Sequence, residues 1–414
     1  MATNYDLFEV IYTKGTALTP QEIVRLLRQP ASAYAGIYQT LLRLQRESLI
    51  QKTPHGFQVR LSARSTLLYR LIRFCLANDL SYNHFLDKNM AAFIKRAWPK
   101  QRFSSQDFAI NPRTFARYVE LLDRSGFLII FSRKPLIALL LRHSFLTKLC
   151  EYFGCTLSPE PALNQKELLP RLLKELRLFH QRQKKNERKY RALVGSYQLR
   201  FIQHSLNLEG NPITLPETVK LLQHQIVPQY LSLEAIEEVR NYQRAMAAML
   251  NDAAERKSLT LTSILNYHYL ALQHKPAIAG QIRTIAVVIK NNPYFKITSP
   301  QEIRGKLDLF LQKYNAFIAQ KKRSLREVFH FAAHFHNQFQ HIHPFIDGNS
   351  RTTRLLTFHL LRSVGIPVID IPLGLLEEYL SSTKGAVRRD DQRLRRVLEL
   401  VVLYNLRLFN EQLR

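Results

Sequence analysis

The twelve residues His343-Pro-Phe-Ile-Asp-Gly-Asn-Ser-Arg-Thr-Thr-Arg354 constrain this chain more than any other stretch. They put an imidazole, a carboxylate, a glycine and two guanidinium groups into one short segment. Upstream, residues 325–340 are apolar at helical spacing and rich in Phe and His. Downstream, residues 353–364 carry Leu355, Leu356, Phe358, Leu360 and Leu361. The pattern predicts a helix–loop–helix whose second helix begins near Asn349.

A helix start leaves its first amides unpaired and carries partial positive charge, so it suits an anion. Gly348 lets the backbone come close to a phosphate, and Asn349 is suited to cap the helix and donate to a phosphate oxygen. Arg351 and Arg354 share a helix face and can reach one polyanion. Asp347 is a hard oxygen ligand of the kind Mg²⁺ takes. His343 is the group here able to accept a proton near neutral pH. Any one of these residues fits a capped helix with a core histidine and surface arginines. The set fits a nucleotide's phosphates lying beside a base.

The segment resembles the signature of the Fic family, H-x-F-x-[D/E]-G-N-G-R-x-x-R, with Ser350 standing in for the usual glycine. The resemblance implies a mainly α fold, a Fic-type helical domain with a small β-hairpin flap. It also implies transfer of AMP from Mg-ATP to a Tyr, Thr or Ser hydroxyl of a protein. His343 would be the general base, Asp347 the Mg²⁺ ligand and Phe345 a core anchor. Gly348, Asn349 and Ser350 would form an anion cradle, with Arg351 and Arg354 on the phosphates. The residue at position 350 also bears on the donor, since family members with other residues there include ones that transfer a phosphate alone.

Further upstream, Ser205-Leu-Asn-Leu-Glu209-Gly210 fits the family's inhibitory motif [S/T]-x-x-x-E-[G/N]. By itself this is a helix end closed by glycine. The resemblance implies that Glu209 pairs with Arg354 and holds the enzyme nearly off. Residues 280–289 are β-branched and short, and they predict a strand in a helical region, followed by a turn from Lys290 to Tyr294. By composition this is one member of a buried strand pair. In relatives a G-x-x-R segment at this place opens the flap, so Arg283, Ile285 and Val287 become candidates for clamping an extended target.

The chain as a whole is strongly basic, with net charge +28 and pI near 10.2. Such an excess implies attraction to a polyanion. Residues 1–150 hold 22 Lys and Arg against 9 Asp and Glu, so the excess is not a tail. Their pattern suggests why. Thr19-Pro20-Gln21-Glu22 is a capping box opening a helix through Leu27, and a second helix follows over 33–47. Strands at 50–53 and 56–61 then flank a Pro-His-Gly turn. This order resembles a winged helix-turn-helix, with Tyr34, Tyr38, Gln39 and Arg43 on the outer face of the recognition helix. A second copy follows, its helix at 113–125 and its wing at 127–131 and 134–140, with Arg113, Thr114 and Arg117 facing a groove. A packing module without nucleic acid remains the alternative for both.

The expected organisation is therefore a winged-helix-like domain at 1–65, a second at 66–150, and a linker with a basic helix at 151–192. A Fic domain follows at 193–370, then C-terminal helices packed on it at 371–414. Pro159, Pro161 and Pro170 punctuate the linker. Its basic block is Arg182, Lys184, Lys185, Arg188, Lys189 and Arg191. A second basic cluster comprises Lys384, Arg388, Arg389, Arg393, Arg395 and Arg396. Cys75, Cys150 and Cys155 are too few and too scattered for a disulfide framework, and the latter two are expected as buried thiols. The His330, His334, His336, His341, His343 series lacks the H-E-x-x-H of a zinc site. No apolar run is long enough to span a bilayer and no signal peptide is visible, so a cytoplasmic protein is expected. The expected partners are ATP, a protein hydroxyl and DNA, with a homodimer left open. The competing reading is a DNA-binding transcription regulator whose Fic domain binds nucleotide as a sensor.

Overall fold

The side chains of Thr3, Thr19, Thr214, Thr260 and Ser324 each accept the amide three residues on, and each capping residue's own amide donates back to the side chain of that third residue. These capping boxes start the helices where the sequence places Ser or Thr ahead of Asp, Glu or Ser. The computed structural model describes residues 2–100, 102–158, 168–289, 292–367, 370–383 and 389–414. Pro159 and Pro161 of the expected linker, Lys290 and Asn291 of the expected turn, and Lys384 and Arg388 of the second basic cluster lie outside the described residues. The chain forms two compact units, Met1–Ala162 and Leu163–Arg414.

The first unit runs α1 (Asn4–Lys14), α2 (Pro20–Leu26), α3 (Tyr34–Arg46), β1 (Ile50–Thr53) and β2 (Gly56–Val59). It continues through α4 (Ala63–Ala77), α5 (Tyr82–Phe85), α6 (Lys88–Ala97), α7 (Pro112–Arg124), β3 (Leu128–Arg133), β4 (Leu136–Leu140) and α8 (Ser144–Tyr152). Both strand pairs are antiparallel hairpins. Each hairpin picks up one more extended residue from before its helix. Leu18 exchanges backbone bonds with Phe57, and Phe103 with Ala138. Gly56 makes the first contact possible, because a Cβ there would sit 2.4 Å from the Leu18 carbonyl oxygen. On α3, Ile37, Leu41 and Leu44 are buried while Gln39 and Arg43 are exposed. On α7, Phe115, Tyr118, Val119 and Leu122 are buried while Arg113 and Arg117 are exposed. Cys75 and Cys150 are buried free thiols, whereas Cys155 is only half-buried.

The second unit is all helical among its described residues. Its order is α9 (Leu168–Lys185), α10 (Glu187–Asn207), α11 (Leu215–His224), α12 (Leu233–Ala254), α13 (Leu261–Leu272) and α14 (Ile303–Ala319). Then come α15 (Leu325–Ile342), α16 (Asn349–Ser363), α17 (Leu376–Ser381) and α18 (Asp391–Gln412). From Asn349 to Leu361 every residue of α16 is buried, so this helix is the axis of the unit. α10, α12, α13 and α15 pack around it. Two of its hydroxyls turn back onto its own backbone, Thr353 to the Asn349 carbonyl (2.7 Å) and Thr357 to the Thr353 carbonyl (2.8 Å).

The expected linker helix is instead part of this unit. Leu168, Leu172 and Phe179 of α9 are fully buried, and Asn410 of α18 donates to the Glu175 carboxylate at 2.7 Å. The basic block is partly spent on carbonyls in the last turn of α18 and just past it. Arg182 donates to the Asn410 carbonyl and Lys189 to the Arg414 carbonyl, the favourable place for cations. Among the described residues no helix is long and apolar enough to cross a membrane.

Two histidines of the helical core carry a pH dependence. His336 bonds the Tyr379 hydroxyl at 2.7 Å and His359 the Tyr314 hydroxyl at 2.5 Å. Burial pushes His336 down to about 3 and His359 down to about 4. An unfolded histidine takes up its proton near 6.5, so the unfolded chain binds more protons below that pH. Stability is then intact above pH 6.5 and falls as pH drops, by on the order of 2 kcal/mol for each residue at pH 5. The urea midpoint of the full chain is expected to fall between pH 7 and pH 5, and a flat or rising midpoint would contradict this.

Candidate active site

α15 ends at Ile342, and His343 follows it in the left-handed conformation, with φ 48°. Its Nδ1 lies 3.2 Å from the Gln340 carbonyl oxygen. A carbonyl can only accept, so Nδ1 carries the proton and the lone pair sits on Nε2. The loop then buries Phe345 against the His268 ring, with centroids 3.6 Å apart. His268 is bonded on both sides. Its Nδ1 accepts from the Gly280 amide at 2.9 Å, which leaves Nε2–H to donate to the Asp347 carbonyl at 3.0 Å. Burial pushes this imidazole down to about 4, in keeping with the neutral form those two bonds need.

Gly348 is the N-cap of α16, with φ 77°. A Cβ there would stand 2.7 Å from Leu272 Cδ2 and 3.0 Å from His268 Nε2. Both the backbone angle and the space disfavour a side chain. Asn349 departs from the expected cap and phosphate donor. Its Oδ1 accepts the Phe345 amide at 3.0 Å and its Nδ2 donates to the Phe345 carbonyl at 2.7 Å. The amide side chain satisfies both backbone groups of one buried residue, so it clasps the loop instead of facing a ligand. The first bond at the helix start runs from the Thr352 amide to the Gly348 carbonyl. The amides of Asn349, Ser350 and Arg351 therefore precede the ladder and remain as the anion-binding donors of the helix start. Ser350 is buried there, 8% exposed.

Asp347 accepts from the Gly348 amide at 2.6 Å, from Arg351 Nη2 at 2.7 Å and from Lys275 Nζ at 3.2 Å. Burial works against its charge. The Arg351 guanidinium, the amide and Lys275 outweigh burial and hold the carboxyl well below the usual range. Arg351 also donates to Glu238 of α12. Arg354 is 2% exposed. Its Nε donates to Ser205 Oγ at 2.6 Å, and its Nη2 to the Ser205 carbonyl at 2.9 Å and to Glu209 Oε1 at 3.0 Å. Ser205 Oγ in turn donates to the Tyr242 hydroxyl at 2.8 Å. Burial disfavours the Arg354 charge, yet Glu209 foremost, with Tyr379 and Tyr242, raises its pKa above the ordinary guanidinium value. The carboxylate at the end of α10 thus engages the second arginine of the segment, from 145 residues away in sequence.

The segment 280–289 is corrected in kind. No strand ladder forms there among the described residues. Arg283 instead ties the segment to the loop after α15 and to Thr298. It is 2% exposed, and its guanidinium donates to the carbonyls of His343 (2.7 Å), Ile285 (2.9 Å) and Thr298 (2.5 Å). It is a buried brace and does not reach outward to a target. Ile285 is exposed, Val287 half-buried, and Val288 is the most exposed of the three at 78%. Glu238, Lys275, His268 and Tyr242 were not found from sequence. Glu238 and Tyr242 lie on α12 and His268 on α13, ordinary amphipathic helices far along the chain, and Lys275 lies in the turn after α13.

Fold and site together define a Fic domain. Residues 258–361 match the model of the Fic/DOC family, and the chain carries a domain of that family there. Among its relatives is Protein adenylyltransferase Fic of Drosophila persimilis, 30% identical over 190 residues, 46% of this chain and 36% of that protein. The Drosophila melanogaster protein of the same name is 30% identical over 190 residues, 46% of this chain and 37% of its own. The chain thus spans little more than a third of the curated relatives it matches. A Fic domain containing signaling protein from Bacteroides thetaiotaomicron shares the fold over 59% of this chain and 96% of its own. Its TM-score is 0.52 and its identity 21%.

The close packing at Gly348 gives a direct check. Gly348→Ala is expected to destabilise the full chain by about 2 kcal/mol, read as a lower urea midpoint, through left-handed strain and the clash with Leu272 and His268. An unchanged midpoint would mean that the loop relaxes without cost.

Proposed function

We propose that the protein is an autoinhibited protein adenylyltransferase that moves AMP from Mg-ATP to a protein hydroxyl. The observation that carries this reading is the Glu209–Arg354 pair. It joins a carboxylate of one element to the second arginine of the phosphate-binding helix start, in a site that also holds His343 and Asp347. The geometry suggests a division of labour. His343 Nε2 takes the proton of the target hydroxyl as its oxygen attacks the α-phosphorus. The bond from that phosphorus to the leaving oxygen breaks, and pyrophosphate departs. Arg351, Arg354 and the amides of α16 take up the charge that develops on the phosphates.

Asp347 fits Mg²⁺ on the character of its carboxylate, which is ionised throughout the working range, a third or more exposed and made of hard oxygens. A bound Mg²⁺ would neutralise phosphate charge beside these arginines. The exposed Ile285 and Val288, with Ile346 at the loop tip, offer an apolar edge for an extended target. A cytoplasmic location is part of this proposal.

Glu209 restrains the reaction by holding Arg354. Replacing it is expected to raise AMP transfer about 10- to 100-fold, the size of a few kcal/mol of lost ion pairing. The check is transfer of label from α-labelled ATP to protein by Glu209→Gly, followed by the double variant with His343→Ala, which should lose it. ATP binding without transfer in Glu209→Gly would instead favour a nucleotide sensor.

We further propose that the first unit binds duplex DNA. The support is its helix–helix–hairpin order, repeated with one bridging residue in each half, and the exposed Arg43, Arg113 and Arg117 on α3 and α7. Duplex affinity should fall steeply with salt, and neutralising the three arginines should lower the slope of log K against log salt by roughly 3. No retention on duplex at low salt would remove this part of the proposal.

A further inference from the structure

Arg351 is anchored at two nitrogens. Nη1 donates to Glu238 and Nη2 to Asp347. Its Nε is buried and has no hydrogen-bond partner among the described residues. The two anchors are unequal. The Glu238 side chain is 15% exposed and that of Asp347 43%, so Glu238 is the inner one. Lys275 also competes for Asp347, at 3.2 Å. In a guanidinium Nε and Nη2 share one edge of the plane, the edge that grips two oxygens of a phosphate. A hold on Nη1 leaves that edge intact. When Asp347 turns to a divalent cation or to Lys275, Nη2 is released beside the unsatisfied Nε, while Glu238 keeps the plane in place.

Glu238 is itself fixed. Its Oε2 accepts from Asn211 Nδ2 at 2.7 Å, and Asn211 also donates to the Ala235 carbonyl at 3.0 Å and accepts the Ile213 amide at 3.1 Å. Asn211 lies two residues beyond Glu209, across Gly210. The segment that engages Arg354 therefore also steadies the anchor of Arg351.

We propose that Glu238 is the positioning residue of the site: it orients Arg351 so that the Nε/Nη2 edge meets the phosphates of ATP. This rests on the adenylyl-transfer reading, and Glu238 acts only through Arg351. A cross-brace between α12 and α16 would predict loss of stability alone. Orientation predicts loss of nucleotide binding that depends on Arg351 and is recovered by another acceptor of the same reach.

The test uses the full chain in the Glu209→Gly background, where the restraint on Arg354 is absent. Mg-ATP affinity is measured by titration calorimetry and AMP transfer by label. Glu238→Ala is expected to weaken Mg-ATP binding about 10-fold, the scale of one charge-assisted bidentate contact. Glu238→Gln, whose amide oxygen still accepts from Nη1 but whose amide nitrogen then faces Asn211 Nδ2, should recover part of that loss. Arg351→Ala should be as weak as Glu238→Ala, and the double variant no weaker. Should Glu238→Ala fail to fold, Glu238→Asp, which keeps the charge and shortens the reach, should show a several-fold loss. Binding within twofold of the background in Glu238→Ala or Glu238→Asp, or additive losses with Arg351→Ala, overturns the proposal. A background protein that binds Mg-ATP and transfers no AMP overturns the transferase reading alone, and the binding arms still decide the role of Glu238. One that binds no Mg-ATP overturns both.

Discussion

A helix buried on every side must find partners for its polar groups inside the bundle, and α16 opens with six polar residues before its first leucine pair. Asn349 is satisfied by the Phe345 backbone, Arg351 by Glu238 and Asp347, and Arg354 by Ser205 and Glu209. These contacts reach α10, α12 and the loop after α15, so the charges of the site are also the joints of the core. Removing one partner of such a pair leaves a buried charge uncompensated, at a cost of roughly 3–5 kcal/mol. The positions of α10 and α12 against α16 are thus fixed by the groups that also suit a phosphate chain.

The same constraint explains His268. A neutral imidazole, accepting from Gly280 and donating to Asp347, stacks on Phe345 and closes the space that a residue larger than glycine would need at 348. Arg283 performs the matching task on the other side of the loop by capping the His343 carbonyl. The loop carrying His343 and Asp347 is short, and both of its ends are tied to neighbouring elements through backbone groups. An imidazole held this way has one tautomer, which suits the general-base role proposed for it.

What was legible in the sequence follows from the range of the interactions. The start of α16, the capping boxes and the helical flanks depend on residues a few positions apart, and they were readable. Glu209 was readable only because a motif links it to a distant arginine. Glu238, Lys275 and His268 touch residues some 70 to 115 positions away, as in the Glu238–Arg351 and Lys275–Asp347 pairs, and nothing local marks them. Residues 280–289 have the composition of a strand, but their arginine turned inward and tied the segment to the His343 and Thr298 carbonyls, with no ladder forming among the described residues. Asn349 suited a cap by type, and the loop's own orphan backbone groups claimed it first. Residues 151–192 read as a linker from their prolines and basic block, while the narrower stripe of Leu168, Leu172 and Phe179 decides the packing of α9.

On the reading proposed here, nucleotide binding at this site is an exchange of anions. Arg354 does not emerge from water to meet a phosphate, because it is already desolvated and already paired with a carboxylate. The desolvation cost is met during folding, so the entering phosphate has only to displace Glu209, whose side chain is 19% exposed and can return to water. Arg351 differs. Its inner partner Glu238 is more deeply held and bonded to Asn211, so the exchange there falls on the outer partner, Asp347. Two arginines three residues apart therefore divide the work: one is freed by losing its carboxylate, and the other is aimed by keeping one.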